Sequence, residues 1–527
     1  MKRLFILAAL LALAVSLVFA GGGGQQGGAG PAANKTITIN TQAGVGGEAA
    51  WRAAAEGYKA LHPDVNIVID LKPVEGYGEW LHNIFATANP NADIVNINLA
   101  WTSAVDKSVN FLEYADQKSP YSNGRWRDQF NFQLQNDYLN RQNELTSLSL
   151  ESVQVLWEYN KDIFAKVGVR PPTTWNELIA VCEKLLAAGY QPISLAGDFD
   201  SFWAGAMGWL AQIYADQTTR SMINTTRAQR GDYLYDPDMD GVWKYDPADP
   251  YNDDAWKVTQ SPVRFFKAVV DGQYSPDSVG MRTVWENFAK VFPKYAGGEA
   301  FFGTKDAIPL FYQGKAAMTV NGAWGLSQFK NDMAKLAAGE AIESNNQPIS
   351  GVTRFELGTF NMPSMEGPGI EAKARTIEVA VGFLGAIKKD KAHNDLVVDF
   401  LMYYSSKDGY SRYLSAGLEA GGSVSGPPLV YGVELPPDYQ AMFDNLSFIG
   451  NCQKGYGQGL ARGIADIQEA LRAYYDYSYN YLSGRITVDQ WLSSHKASTL
   501  QYLDQAMAGF KISRNDLRNP QNAPTGQ

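Results

Sequence analysis

Two short stretches hold residues spaced for chemistry. In residues 37–71, "ITINTQAGVGGEAAWRAAAEGYKALHPDVNIVIDL", Gly44-x-Gly46-x-x-Ala49 stands between a strand pattern and a helix pattern. Asp70 follows about where a ribose-binding acid belongs in a dinucleotide site. There, backbone N–H groups at a helix N-terminus would cradle a pyrophosphate. In residues 235–254, Asp236-x-Asp238-x-Asp240-Gly241 opens like a calcium loop, with oxygens at positions 1, 3 and 5 and glycine at the sharp turn. Position 12, where a bidentate Glu belongs, is Pro247, so such a loop would have to draw on Asp246 or Asp253. The histidines, His62, His82, His393 and His495, show no metal-ligand spacing.

The elements around the glycine turn decide against the cofactor. Residues 36–40 alternate, with Ile37 and Ile39 on one face of a half-buried strand. A dinucleotide-binding strand is a continuous apolar run ending at the first glycine. Here Asn40, Thr41 and Gln42 intervene. Trp51, Ala54, Ala55, Tyr58 and Leu61 then recur at helical spacing, until His62-Pro63 stops the helix. Val65, Ile67, Ile69 and Leu71 form the next strand, residues 78–88 a second helix, and "ADIVNINLAW" a third strand. That β-α-β-α-β order implies a parallel or mixed sheet covered by helices.

Length and composition bound the rest. The 527 residues suffice for two or three domains, and 45% hydrophobic with 19% charged is a globular balance. With 13 Trp and 28 Tyr the chain is rich in rings, which suits stacking on flat-faced ligands such as sugars. Lys2 and Arg3 precede an apolar run over 4–17, and Ala20 offers a small residue at a cleavage position. Residues 1–20 therefore read as a cleavable signal peptide and the glycine-rich 21–34 as a flexible tether. Nicotinamide cofactors are scarce outside the cytoplasm, so export also disfavours a dehydrogenase. The net charge of −10 grows more acidic once Lys2 and Arg3 are removed, which excludes nucleic acid and anionic lipid as partners. Cys182 and Cys452 are too few for a disulfide scaffold, and their pairing is open.

Six segments, in order along the chain, resemble the extracellular solute-binding proteins, family 1, of sugar ATP-binding-cassette (ABC) importers. They are "YKALHPDVNIVID", "FATANPNADIVNIN", "WEYNKDIFAKVGVRPPTTWNELIAVCEKL", "YQGKAAMTVNGAWGLSQF", "VGFLGAIKKDKAHNDLVVDFLMYYSS" and "IADIQEALRAYYDYSYNYLSGRITVDQWL". The resemblance implies a two-lobed α/β periplasmic-binding-protein fold, type II-like, with crossing hinge strands and a ligand cleft between the lobes. It places the N-terminal lobe at 35–150 plus 374–418 and the C-terminal lobe at 151–373 plus 419–527, with the strand "VAVGFLGAI" in the first lobe. It implies a monomeric receptor that hands a sugar to membrane permease subunits, with no catalytic residue and no cofactor beyond the calcium candidate. Gly21 stands where lipid-anchored relatives carry Cys, so an unanchored periplasmic or extracytoplasmic protein is expected. Residues 214–300 are the main insertion relative to common members.

Candidate ligand residues follow from residue type and from this resemblance. Trp324 occupies the family's recurring cleft tryptophan position, with Asn321 beside it as amide donor and acceptor. Trp101 ends the third strand, where ligands of open α/β sheets gather. Asp198, Asp200 and Trp203 follow another strand. One Asp is expected to cap the helix near Phe202, and Asp198 is favoured over Asp200 as the ligand contact. Glu48 lies at the glycine turn on the cleft rim; Tyr159 and Tyr77 offer a ring and a hydroxyl, and Glu378 is a further candidate. Aromatic clefts with paired carboxylates also describe exported glycosidases, and many acids would suit a polyamine; these are the alternatives to a sugar receptor.

Overall fold

The computed structural model describes residues 35–42, 47–73, 76–100, 103–104, 106–139, 144–203, 205–444, 446–447, 449–453, 461–464 and 468–526, with the side chains of 99, 136–138, 203 and 468 left aside. The signal peptide, the tether with Gly21, the turn at 43–46 and Trp101 lie outside the described residues.

The first sheet holds β1 (Lys35–Ile39), β2 (Val65–Ile69) and β3 (Ile94–Asn96). β1 runs parallel to both neighbours. Alternation works as expected: Ile37 and Ile39 are fully buried while Thr36 and Thr38 are half-buried. The helix Gly47–Leu61 covers this sheet with Trp51, Ala54, Ala55 and Tyr58. Leu61, expected on that apolar face, is 59% exposed, because it is the helix's last residue and the chain turns there toward β2.

The second sheet is built around β4 (Glu151–Asn160). Its other members are β5 (Gln191–Ser194) and β6 (Ala316–Gly322), and, after a small hairpin of β7 (Glu343–Ser344) and β8 (Gln347–Pro348), β9 (Leu357–Phe360) and β10 (Glu378–Val381). The order is β10-β4-β6-β5, with β9 also on β4. β4 is antiparallel to β6, β9 and β10, and β5 is parallel to β6. Val153, Val155 and Trp157 on one face of β4 share a core with the helices Trp175–Ala187, Ala206–Asp216 and Val279–Val291. The motif "PPTTWNEL" starts the first of these through a reciprocal cap. Thr174 accepts from the Glu177 N–H at 3.2 Å, and the Glu177 carboxylate accepts from the Thr174 N–H at 3.2 Å.

The stretch "VAVGFLGAI" is not one strand of the first lobe. β10 pairs with β4 in the second sheet, whereas β11 (Leu384–Ala386) pairs antiparallel with β3 in the first. Gly382 (φ 123°) and Phe383 (φ 49°) take positive φ between them and break the strand. The chain thus changes sheets at 381–384, as it does at 148–151. A third segment lies alongside, with the Leu429 N–H donating to Leu150 O (2.8 Å) and the Asn131 N–H donating to Leu429 O (2.9 Å).

A buried arginine, Arg375, ties the segment 214–300 to the second sheet's core. The Arg375 guanidinium, 1% exposed, donates to both carboxylate oxygens of Asp216 (2.7 and 3.0 Å), to both of Asp253 (2.6 and 2.8 Å) and to Pro250 O (2.7 Å). Two carboxylates and a carbonyl use the guanidinium on every side, which is the geometry in which a buried charge is tolerated. Cys182 and Cys452 are both buried and unpaired. Removing Arg375 strands the carboxylates, so Arg375→Ala is expected to lower stability by about 3–5 kcal/mol in urea unfolding. Asp253→Asn should cost less, because Asp216 still holds the guanidinium; equal losses would show that the two acids do not share one cation.

Candidate functional site

Parallel strands deliver side chains to their carboxyl ends, and here β1 and β3 of the first sheet and β10 of the second point those ends at the crossing segments. In the first sheet β1 runs on into Thr41 and Gln42, and β3 ends at Asn96. Asn96 ties three pieces together: its Oδ1 accepts from the Gln42 N–H (2.8 Å), its Nδ2 donates to Gly382 O (2.9 Å), and its N–H donates to the Tyr77 hydroxyl (2.9 Å). A cavity of about 210 Å³ opens at this junction, lined by Thr41, Gln42, Asn96, Glu151, Gly382 and Ser425 among others. Glu151 accepts from the Ser425 N–H (3.1 Å) and the Tyr410 hydroxyl (3.3 Å); burial pushes its carboxyl pKa up, and those hydrogen bonds oppose the rise. Rings back the cavity, with Trp51 stacked on Tyr404 (centroids 4.9 Å) and Tyr410 on Tyr413 (5.8 Å). The residues that weakened the dinucleotide reading, Thr41 and Gln42, are themselves cavity wall.

In the second sheet β6 ends at Asn321 and Gly322, level with the middle of β4, since Gly322 pairs with Val155, the fifth of its ten residues. Trp324 then opens the helix Trp324–Ala337. Its half-buried indole meets Trp209 edge-on (5.9 Å, 76°) and lies over Gly322, where a Cβ would collide with the ring. Asn321 Oδ1 accepts from the Gly322 N–H (2.9 Å), which turns Nδ2 toward Glu158. Glu158 escaped the sequence reading, although an acid inside the apolar run "VQVLWEYN" was the available signal. It is 2% exposed, and burial raises its pKa to about 8, opposed only by a hydrogen bond from Asn321.

The remaining candidates divide. β5 runs parallel to β6 and leads to Asp198 at the same edge. Asp198 is the capping residue: its Oδ1 accepts from the Ser201 N–H (3.3 Å) at the start of the helix Phe199–Trp203, while Asp200 is exposed. The expected preference for Asp198 as a ligand contact is therefore corrected toward its capping role. Trp203 closes that helix, its side chain outside the described residues. Glu48 is exposed next to Gly47, a cavity-lining residue, and pairs with Arg52 one turn on. Tyr77 is a correction: it is fully buried, and its hydroxyl donates to Asn40 O (2.8 Å) while accepting from Asn96, so it braces the strand ends from beneath. Tyr159 packs on Phe164 (4.5 Å) and Phe360 (5.9 Å).

The calcium loop is also a correction. Asp236 Oδ1 accepts from the Asp238 and Met239 N–H groups, and Asp240 accepts from the Asp236 and Thr259 N–H groups. The carboxylates close a backbone turn instead of converging, and among the described residues no group of three acidic, His or Cys side chains could hold a metal.

Residues 43–410 match the family model described as bacterial extracellular solute-binding protein. The chain belongs to that family. This solute-binding protein is 24% identical over 417 residues to an uncharacterized ABC transporter extracellular-binding protein of Pyrococcus horikoshii, spanning 75% of this chain and 80% of that one. It is 23% identical over 224 residues to a multiple sugar-binding protein of Streptococcus mutans, spanning 42% and 40%. Its fold matches the cyclic alpha-maltosyl-1,6-maltose binding protein of Arthrobacter globiformis, with TM-score 0.56, 15% identity, and 89% and 99% of the two chains covered. Members of the family are non-enzymatic, extracytoplasmic components of solute uptake, which removes the glycosidase alternative.

Glu158 gives the binding protein a measurable pH signature. Its carboxyl ionises near pH 8 when folded and near 4.5 otherwise, so the folded state holds the proton more tightly. Stability from this group is complete below the ordinary carboxylate range and is lost as pH rises toward about 8, by up to about 1.4 kcal/mol per pH unit. Glu158→Gln should gain on the wild type steadily between pH 5 and 8 in urea unfolding; a constant difference across that window would place the proton elsewhere.

Proposed function

We propose that this protein captures a sugar or oligosaccharide between its two lobes and delivers it to the membrane permease of an ABC importer. In this reading the first lobe carries the sheet of β1, β2, β3 and β11, the second carries the sheet around β4, and the crossings at 148–151 and 381–384 act as the hinge. Residues 1–20 direct export and are removed.

The observation that carries this reading is the cavity at the sheet crossings, where β1, β3 and β10 end and amides, an acid and rings form the wall. Open α/β sheets bind ligands outside the carboxyl ends of their strands. Pyranoses present apolar faces and rims of hydroxyls, so Trp324 and Trp101 suit the faces, and Asn321, Gln42, Asn96 and Glu48 suit the rims. The sugar-binding relatives named above support the same ligand class. No bond is made or broken. Closure requires only that the ligand bind the closed arrangement more tightly than the open one, and the free-energy difference sets how far the population shifts.

Thermal unfolding of residues 21–527 against a panel of mono- and oligosaccharides tests this. A cognate sugar at a hundred times its dissociation constant should stabilise by about 2.7 kcal/mol and be recovered intact. Trp324→Ala should weaken that binding at least about tenfold, or about 1.4 kcal/mol. Stabilisation by a polyamine and by no sugar would overturn the ligand class, and recovery of a cleaved sugar would overturn the receptor.

A further inference from the structure

We propose that Glu158 is a positioning residue whose protonation state sets where the Asn321 amide points. The inference deepens the sugar-receptor reading and rests on it for its consequence on binding, though not for the motion itself.

The geometry is a closed polar pocket behind the β6 terminus. Glu158 on β4 stands opposite Thr319 on β6, and Asn321 lies two residues further along the same face. The helix Trp324–Ala337 closes over them at Gly325, where a Cβ would strike both the Glu158 carboxyl and Asn321 Nδ2. Glycine there is thus required by the contact between acid and amide. The pocket is short of hydrogen bonds: Glu158 Oε1 and the Thr319 hydroxyl are both buried without a partner of good geometry. The titratable groups packed around it are Tyr312, which faces both Glu158 and Asp332, and Asp332, which accepts from Tyr312 (3.2 Å) and Gln328 (3.0 Å) and has Lys335 at 3.6 Å. None of these gives Glu158 a cation.

A neutral acid tolerates such a site, whereas a carboxylate does not. Once ionised, Glu158 needs donors, and those within reach are Asn321 Nδ2–H and the Thr319 hydroxyl. The carboxylate draws both toward itself, a charge-assisted bond being about twice as strong as a neutral one. The amide, already turned toward Glu158, is then held there and kept from the surface beside Trp324, whereas the neutral acid leaves it free to turn outward. With Asn321 at the ligand, sugar affinity falls as pH rises through the Glu158 titration, and by reciprocity sugar binding favours the protonated acid.

The test needs no ligand. In protein labelled with ¹⁵N at asparagine, the Asn321 side-chain amide signals, identified by their loss in Asn321→Asp, are followed from about pH 6 to pH 9.5. The expected result is a downfield shift with a midpoint near 8 in the wild type and none in Glu158→Gln. Thr319→Val, which removes the competing donor and keeps the acid, should retain the shift with a higher midpoint; this variant keeps the test decisive if Glu158→Gln does not fold. Signals that stay still in the wild type, or that move equally in Glu158→Gln, would overturn the proposal. An Asn321→Asp protein that binds the saccharide panel unchanged would defeat the role of Asn321 in binding, while leaving the amide titration standing.

Discussion

β4 must bury both faces of ten consecutive residues while bonding to β6, β9 and β10. A strand alternates strictly, so one face of β4 sends Val153, Val155 and Trp157 into the large aromatic core, and the other sends Leu156 and Glu158 under the helix Trp324–Ala337. A slip of one residue would exchange the two sets, bringing Glu158 into the aromatic core and Trp157 against Asn321. Register is therefore held at high cost to any alternative. The same register sets Asn321 and Gly322, at the end of β6, against Leu156 and Val155, and so fixes where Trp324 begins its helix.

The second constraint is a change of direction that only unusual backbone permits. β10 and β11 are almost continuous in sequence yet belong to different sheets, and the break rests on positive φ at Gly382 and Phe383. Glycine adopts such angles without penalty; phenylalanine does so only when its surroundings hold it there. Asn96 supplies one such restraint, since its Nδ2 donates to Gly382 O. The cavity at the junction is therefore walled by groups that also brace the crossing, and an occupant touching Asn96 or Gly382 touches the segment that joins the two sheets.

Much of this was legible in the chain. Alternation in Ile37/Ile39 and Val65/Ile67/Ile69 marked strands because a half-buried sheet imposes period two, and "PPTTWNEL" marked a helix start because its cap is local. Sequence failed where meaning depends on partners distant along the chain. Asp198 and Asp200 differ by two positions, and only the path of the helix decides which one caps it. Tyr77 has a cleft residue's chemistry but finds Asn40 and Asn96 beneath the strand ends. The aspartates of 236–240 have calcium-loop spacing, yet oxygens of Asp236 and Asp240 are taken by backbone N–H groups of their own turn and of Thr259. Spacing specifies where ligating atoms stand along the chain, not whether another donor reaches them first.

Arg375 and Glu158 mark two ways of burying charge. Arg375 is held by Asp216 and Asp253, one brought by the helix Ala206–Asp216 and the other by the loop beside Pro250. A loop can thus be fixed by a pair of strong, directional contacts whose cost of desolvation is shared. Glu158 has no such counter-ion, so the cheaper course is to keep the proton. The first arrangement resists change, since against the cost of burial the two carboxylates hold the guanidinium pKa well above its already high ordinary value. The second sits within reach of ordinary solution conditions and beside the very amide that closes β6. A buried group that is paired adds rigidity, whereas one left neutral keeps a second state close in free energy, and it is the latter that lies next to Asn321 and Trp324.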